Sequence, residues 1–334
     1  MHIRVYGVQP DELDVYHKAE AKYGFTFEFA KNLLNEDTVD EVQNCEGIIL
    51  VTTCRVTEKV VEKLAQRGVK YLAARSAGSD HVDYDAVVKY GLHCANVPFY
   101  APEAIAEHTI LMALSVLRNS KKSYRMIESG DFTMKGLRGR QLGQMTAGVL
   151  GTGRIGRTTM SLLRGFGTKV QGWDPYPNEA AGKLCTYVTQ EQLLQESDII
   201  FLHCPLTPDS YHIIGENTLS QMKPGAVLIN TARGGLVDHQ AVLKALESGK
   251  LSGFAFDVYE NESSFVRKKV SWDQMDDPIF KALLARDDTA YSAHVAFYTD
   301  SAIRNMIEVT LDNLEEYART GQCQNEIKKE GGPV

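Results

Sequence analysis

Short apolar runs alternate with longer amphipathic stretches along the first hundred residues. Ile3–Gly7, Phe25–Phe29, Gly47–Val51, Tyr71–Ala74 and Leu92–Asn96 read as strands, the last closed by Val97-Pro98. Asp11–Tyr23 and Thr57–Arg67 read as helices, the second ended by Gly68. Strands separated by helices predict a parallel sheet with helices on both faces. Pro98 and Pro102 mark a hinge. Pro102–Asn119 then reads as a long helix whose apolar positions, Ile105, Ile110, Leu111, Leu114 and Leu117, fall on more than one face. That spread suits a helix buried between domains or subunits.

The pattern returns in the second half. Ala147–Leu150, Lys169–Trp173, Ile199–His203, Ala226–Asn230 and Gly253–Asp257 are predicted strands, Ile155–Phe166 and Gln240–Ser248 helices, and Thr299–Thr320 a final helix. The chain leaves the first α/β unit near residue 100, and the tail after the last helix is too short for a third domain. The last helix is therefore expected to return to the first unit. The second unit then becomes an insertion, entered and left through two crossovers. The Gly331–Val334 tail is expected to fray.

The most informative motif sits at the first strand of the second unit. Gly151, Gly153 and Gly156 have the G-x-G-x-x-G spacing, after a strand and at the start of a helix. The first glycine permits a tight turn, the second lets the backbone approach a pyrophosphate, and the third lets helix and strand pack closely. The helix N-terminus offers free N–H groups and a partial positive charge. Asp174, 18 residues past Gly156 at the end of the next strand, can accept hydrogen bonds from a ribose diol. Strand, turn, helix, strand and terminal acid together predict dinucleotide binding.

Composition narrows the class. The length of 334 residues suggests about two domains, and 43% hydrophobic content is ample for their cores. A net charge of −7 argues against nucleic acid as the main partner. No apolar run is long enough for a membrane span, and Met1-His-Ile-Arg-Val runs straight into a strand without a signal-peptide pattern. The six cysteines are scattered without a C-x-x-C pair. They read as reduced thiols in a cytoplasmic protein, and no metal site is expected.

Three polar residues sit at strand ends or in loops of the second half, where they suit a site beyond the carboxyl ends of the strands: Arg233 after Ala226–Asn230, Glu262 after Gly253–Asp257, and His294 in the loop Tyr291-Ser-Ala-His-Val. Hydride chemistry on a 2-keto acid needs this set of groups. A guanidinium fork holds a carboxylate and polarises a carbonyl. A histidine protonates the new alkoxide, and a carboxylate beside it favours the imidazolium and fixes the tautomer. On position alone, Asp257 and Glu260 compete with Glu262. His203, His81 and His108 are equally open as interior residues.

The chain resembles the D-isomer-specific 2-hydroxyacid dehydrogenase family over essentially its full length, and is most similar to its D-lactate dehydrogenase branch. The matching motifs are Gly151-Thr-Gly-Arg-Ile-Gly156, Asp174-Pro-Tyr-Pro-Asn178, His203-Cys-Pro-Leu-Thr207, Met222-Lys-Pro-Gly-Ala226, Asn230-Thr-Ala-Arg-Gly-Gly235, Asp257-Val-Tyr-Glu260 and His294-Val-Ala-Phe-Tyr-Thr299. The resemblance implies an α/β protein of two doubly wound parallel-sheet domains. Residues 1–100 plus 299–334 would form a flavodoxin-like substrate domain, and 101–298 an inserted Rossmann NAD-binding domain. Arg233 would bind the substrate carboxylate, with Glu262 as partner of His294, the acid/base. Cofactor contacts would come from Gly151, Thr152, Gly153, Arg154, Ile155, Gly156, Asp174, Cys204, Pro205, Thr231, Ala232 and Asp257, the last at the nicotinamide end. The backbone at Ser76, Ala77 and Gly78 would help hold the substrate carboxylate, and Tyr100 and Tyr298 would line the pocket. NAD is the implied cofactor, and a homodimer through the nucleotide domain the implied assembly.

Bulky Ala296-Phe297-Tyr298 after the histidine resembles the D-lactate and D-2-hydroxyisocaproate group rather than relatives with a glycine turn there. The expected reaction is reduction of pyruvate to D-lactate with NADH. Branched, aromatic or dicarboxylic 2-keto acids are the alternatives, because the stretch Thr52-Thr53-Cys54-Arg55 lies where the family varies. Arg55 is expected to be a solvated loop residue. A rival of another class is an NAD-sensing binding protein of the corepressor type, against which the complete Arg233–Glu262–His294 set argues.

Overall fold

A computed structural model describes residues 1–79, 81–266 and 268–327; the Gly331–Val334 tail lies outside them. The chain divides into two compact units, Met1–Ala101 with the stretch from Tyr298 onward, and Pro102–Phe297. Ala101 and Tyr298 thus belong to the first unit, each one residue across from the expected boundary.

In the first unit, β1 (His2–Val5), β2 (Thr26–Phe29), β3 (Gly47–Leu50), β4 (Tyr71–Ala74) and β5 (His93–Ala95) form an all-parallel sheet in the order β2-β1-β3-β4-β5. Every residue of β3 is buried, because the sheet is covered on both faces, and that is why its sequence is apolar throughout rather than alternating. Ile48, Leu50 and Leu72 pack with Val60, Val61 and Leu64 of the helix Glu58–Gln66 on one face. Ile3, Val5, Ile49 and Ala73 pack with Ile307, Leu311 and Leu314 on the other. Those three belong to the final helix, Asp300–Thr320, so that helix does return to the first unit.

The second unit carries β6 (Thr146–Leu150), β7 (Lys169–Trp173), β8 (Thr186–Tyr187), β9 (Ile199–Leu202), β10 (Ala226–Asn230), β11 (Leu251–Phe256) and β12 (Thr289–Tyr291). They form a parallel sheet in the order β12-β11-β10-β9-β6-β7-β8. Both edge strands, β8 and β12, escape the sequence pattern because they are two and three residues long. Several short helices escape it too, although their N-caps are legible. The side chains of Asp83, Thr189 and Asp277 accept hydrogen bonds from Ala86, Gln192 and Phe280, which satisfies N–H groups that each first turn leaves unpaired. The helix expected between domains, observed as Pro102–Leu117, packs within the second unit against the helix Arg154–Gly165 and against β11. Its Leu111 remains 56% exposed.

One buried ion pair stands out in the first unit. Arg75, which follows β4, has its Nη1 2.7 Å from Glu12 Oε2, with the two side chains 5% and 2% exposed. Glu12 Oε2 also accepts the Gln9 N–H at 2.9 Å. Removing one partner from such a pair leaves a desolvated charge uncompensated. Glu12→Gln should therefore lower stability by about 3–5 kcal/mol, read as a fall in the urea midpoint of the first unit. A midpoint unchanged within error would show the pair to be dispensable.

Candidate functional site

The turn between β6 and the helix Arg154–Gly165 is shaped by what its glycines exclude. Gly151 has φ +95°, and a Cβ there would lie 2.5 Å from the Cys204 N. The turn therefore presses against the loop His203-Cys204-Pro205 that leaves β9. A Cβ at Gly156 would overlap the Gly151 carbonyl oxygen. Gly153 differs, since nothing lies within 4 Å of a Cβ built there, and it caps the helix N-terminus. Open space faces a backbone whose first-turn N–H groups have no intrahelical acceptor, which is the form of an anion site. Thr152 sits beneath the turn fully buried, and Arg154 and Ile155 open the helix.

Asp174 is tethered to this turn. Its Oδ2 accepts from the Thr152 N–H at 2.7 Å and the Thr152 hydroxyl at 3.0 Å, while Oδ1 accepts the Tyr176 N–H at 2.9 Å. The Thr152 hydroxyl also lies 2.7 Å from the Tyr187 hydroxyl. A shallow cavity of about 530 Å³ opens beside Asp174, between Trp173 and Tyr187. The carboxylate is thus fixed at the rim of a space that can take a nucleoside.

His294 depends on an unusual backbone. Ala293 and His294 both have positive φ, +56° and +58°, which costs a non-glycine residue about 1–3 kcal/mol each. Asp257, at the end of β11 and 1% exposed, holds them there. Its carbonyl accepts the His294 N–H at 2.6 Å. Its Oδ1 accepts from Ser292 Oγ at 2.6 Å and the Val295 N–H at 2.8 Å, and its Oδ2 from the Ala296 N–H at 2.9 Å. The carboxylate expected at the nicotinamide end is therefore committed to the loop that carries His294.

This backbone sets His294 Nδ1 2.5 Å from Glu262 Oε1. Glu262 is fixed in turn by the Tyr259 N–H, which donates to its Oε2 at 2.8 Å. The carboxylate orients the ring and leaves Nε2 for proton transfer. The competing candidates go elsewhere. Glu260 meets the Tyr211 hydroxyl at 2.8 Å and His212 at 3.1 Å. Burial pushes the His203 pKa down to about 4, and His108 is also lowered by burial, against the pull of Asp257. His108 Nε2 lies 2.8 Å from Ser292 Oγ, behind the Asp257 cluster.

Arg233 projects from the loop after β10. Fully buried Asn230 ties that loop: its Oδ1 accepts the Ala232 N–H at 3.0 Å and its Nδ2 donates to the Arg233 carbonyl at 2.9 Å. A Cβ at Gly234 would strike the backbone of Tyr259 and Glu260, so the Arg233 loop lies directly on the Glu262 loop. The guanidinium bonds the Ala232 carbonyl at 2.8 Å and has no carboxylate partner among the described residues. Thr231 Oγ1 lies 2.6 Å from Thr109 Oγ1.

The remaining expected residues lie in the first unit. Ser76 Oγ donates to the Gly78 carbonyl at 2.6 Å, and Asn96 Nδ2 to the Ala77 carbonyl at 2.9 Å. The Tyr100 carbonyl accepts from Asn305 at 2.7 Å, and the Tyr298 hydroxyl lies 3.0 and 3.1 Å from the two oxygens of Asp11. Arg55 is exposed, and its side chain has no ion-pair partner among the described residues. Asn230, Ser292 and Asp11 were not expected. Asn230 left a signal, a polar residue ending an otherwise apolar buried strand. The roles of Ser292 and Asp11 depend on contacts between residues far apart in sequence. Among the described residues, no group of His, Cys, Asp and Glu could hold a metal ion.

Residues 110–296 match the NAD-binding domain of the D-isomer specific 2-hydroxyacid dehydrogenase family. The D-lactate dehydrogenase of Escherichia coli K12 is 38% identical over 328 residues, 98% of this chain and 100% of the relative. An aromatic 2-oxoacid reductase of Clostridium sporogenes is 37% identical over 327 residues, 98% and 99% of the two chains. Among solved structures, a D-2-hydroxyisocaproate dehydrogenase superposes with a TM-score of 0.89 at 38% identity, over 98% of this chain and 99% of that one. The apo D-lactate dehydrogenase of Escherichia coli gives 0.88 at 37%, over 98% and 100%.

If the tethered Asp174 carboxylate faces the ribose of a bound dinucleotide, as expected from the sequence, it would accept from the diol and repel a 2′-phosphate. NADH should be preferred over NADPH by at least about tenfold in catalytic efficiency, measured with each cofactor at saturating keto acid. Equal efficiencies would remove Asp174 from that role.

Proposed function

This chain belongs to the D-isomer-specific 2-hydroxyacid dehydrogenase family, and from that premise we propose that it reduces pyruvate to D-lactate with NADH. The observation that carries the acid/base assignment is the 2.5 Å contact between His294 Nδ1 and Glu262 Oε1. Bound NADH supplies the hydride. Arg233 binds the substrate carboxylate and polarises the keto oxygen, which suits a guanidinium not already spent on a protein carboxylate. His294 gives its Nε2 proton to the oxygen as it becomes an alkoxide, while Glu262, held against Nδ1, orients the ring for that transfer. Ser76, Ala77 and Gly78 supply backbone contacts to the substrate carboxylate. Tyr100 and Tyr298 form aromatic walls.

A second reading, an aromatic 2-keto acid as preferred substrate, draws support from the Clostridium sporogenes relative, whose identity to this chain is within one point of the Escherichia coli enzyme's. Steady-state rates with NADH and pyruvate, 2-oxoisocaproate, phenylpyruvate and 2-oxoglutarate decide between them. Pyruvate is expected to give the highest efficiency, and a clear lead for phenylpyruvate would establish the second reading.

We further read the protein as cytoplasmic and as a homodimer through the second unit. Exposed Leu111, Tyr124, Ile127, Phe132 and Met134 give that unit apolar surface of the kind an interface covers. No helix among the described residues is long and apolar enough to cross a membrane.

His294→Gln should leave NADH binding nearly intact and cut pyruvate reduction by roughly 10²–10⁴-fold. Near-normal turnover of the variant would remove His294 from that role. Arg233→Lys should raise the pyruvate KM and lower kcat together, since an ammonium cannot reproduce the two-pronged fork. Unchanged kinetic constants would count against carboxylate binding by Arg233.

A further inference from the structure

We propose that Asp11 is a specificity-determining residue, one that fixes the Tyr298 hydroxyl and sets a negative charge which directs the site toward 2-keto acids with uncharged side chains. This rests on the reading of Tyr298 as a wall of the substrate site.

The argument begins with the turn that carries Asp11. Pro10–Glu12 is a single 3-10 turn whose proline restricts the backbone and whose last residue is anchored. Glu12 is buried, accepts the Gln9 N–H at 2.9 Å, and pairs with Arg75 at 2.7 Å. Arg75 immediately precedes Ser76–Gly78. Asp11, one residue before Glu12, meets the Tyr298 hydroxyl at 3.0 and 3.1 Å. One rigid turn thus reaches both parts of the first unit that the functional reading assigns to the substrate. Glu12 reaches the Ser76 loop through Arg75, and Asp11 reaches Tyr298 directly.

The hydrogen-bond inventory gives the chemical consequence. A phenol has one proton to donate, and here it is directed at a carboxylate, which is the stronger acceptor. The pKa of Tyr298 is pushed up to about 12, first by burial and then by the Asp11 hydrogen bond. The hydroxyl therefore stays protonated, with its proton donated to Asp11. Toward a substrate, Tyr298 offers only lone pairs and a ring face. An apolar or aromatic side chain packs against the ring. A second carboxylate would meet an acceptor, with a like charge behind it. Arg75 does not cancel that charge, because Glu12 already neutralises it. Asp11 itself is exposed, so solvent screens it and the discrimination is moderate, on the order of tenfold.

The test compares wild type with Asp11→Asn and Tyr298→Phe. The kcat/KM of pyruvate and of phenylpyruvate is measured against that of oxaloacetate and 2-oxoglutarate, with NADH affinity and melting temperature recorded for each protein. Asp11→Asn keeps the shape and removes the charge. It is expected to lower the ratio of uncharged to dicarboxylic substrates about tenfold, chiefly through a lower KM for the dicarboxylates, with NADH affinity unchanged. Tyr298→Phe removes the tether and keeps the ring and the Asp11 charge. It should shift that ratio less than Asp11→Asn does. A merely structural role for Asp11 would depress all four substrates together and leave the ratio as in wild type, which overturns the proposal. A wild-type enzyme that prefers a dicarboxylate also overturns it, while leaving the dehydrogenase reading intact. A wild-type protein that reduces none of the four with NADH overturns both.

Discussion

The buried carboxylate of Asp257 is the constraint on which the reactive geometry depends. Two consecutive left-handed residues, Ala293 and His294, are unfavourable by themselves. They persist because one carboxylate at the end of β11 takes donors from Ser292, Val295 and Ala296, while its own carbonyl takes the His294 N–H. Charge-assisted bonds in a site 1% exposed are stronger than their count suggests. The arrangement also answers the cost of burying Asp257, since a desolvated carboxylate needs several donors to remain charged. The same hydrogen bonds offset both the strain in the loop and the burial of the acid.

From that point the rest of the site follows by short steps. The loop conformation sets the imidazole against Glu262, and the Tyr259 N–H holds Glu262 from its other oxygen. β10 and β11 are hydrogen-bonded neighbours, so the loops carrying Arg233 and Glu262 emerge side by side. The nucleotide turn uses a different device. At Gly151 and Gly156 it depends on side chains being absent, and at Gly153 on space being left open.

The sequence showed the parts of this structure governed by local rules. The fully buried and largely apolar β3, β9 and β10 were evident as strands because both sheet faces are covered. The G-x-G-x-x-G turn was evident because each glycine answers a separate steric demand. The edge strands β8 and β12 of the second sheet were not, since so few residues in polar surroundings carry no period. Arg233 and Glu262 stood out as polar residues following strands and His294 as a loop histidine, but position alone did not separate Glu262 from Glu260 or His294 from His203. Those choices depend on which side chains share a loop in space. The commitment of Asp257 to the His294 backbone was equally hidden, because its partners lie 35 to 39 residues away and nothing in a linear pattern announces a left-handed pair at Ala293-His294.

Gly234 carries an implication for how such a protein can change. The missing Cβ lets the Arg233 loop rest on the backbone of Tyr259 and Glu260, and Tyr259 donates the N–H that fixes Glu262. Any side chain at Gly234 would displace both loops at once, and with them Arg233 and the Glu262–His294 pair. The two loops are therefore mechanically joined through a position that has no side chain of its own. Substitutions that retune one loop should show strong epistasis with changes in the other.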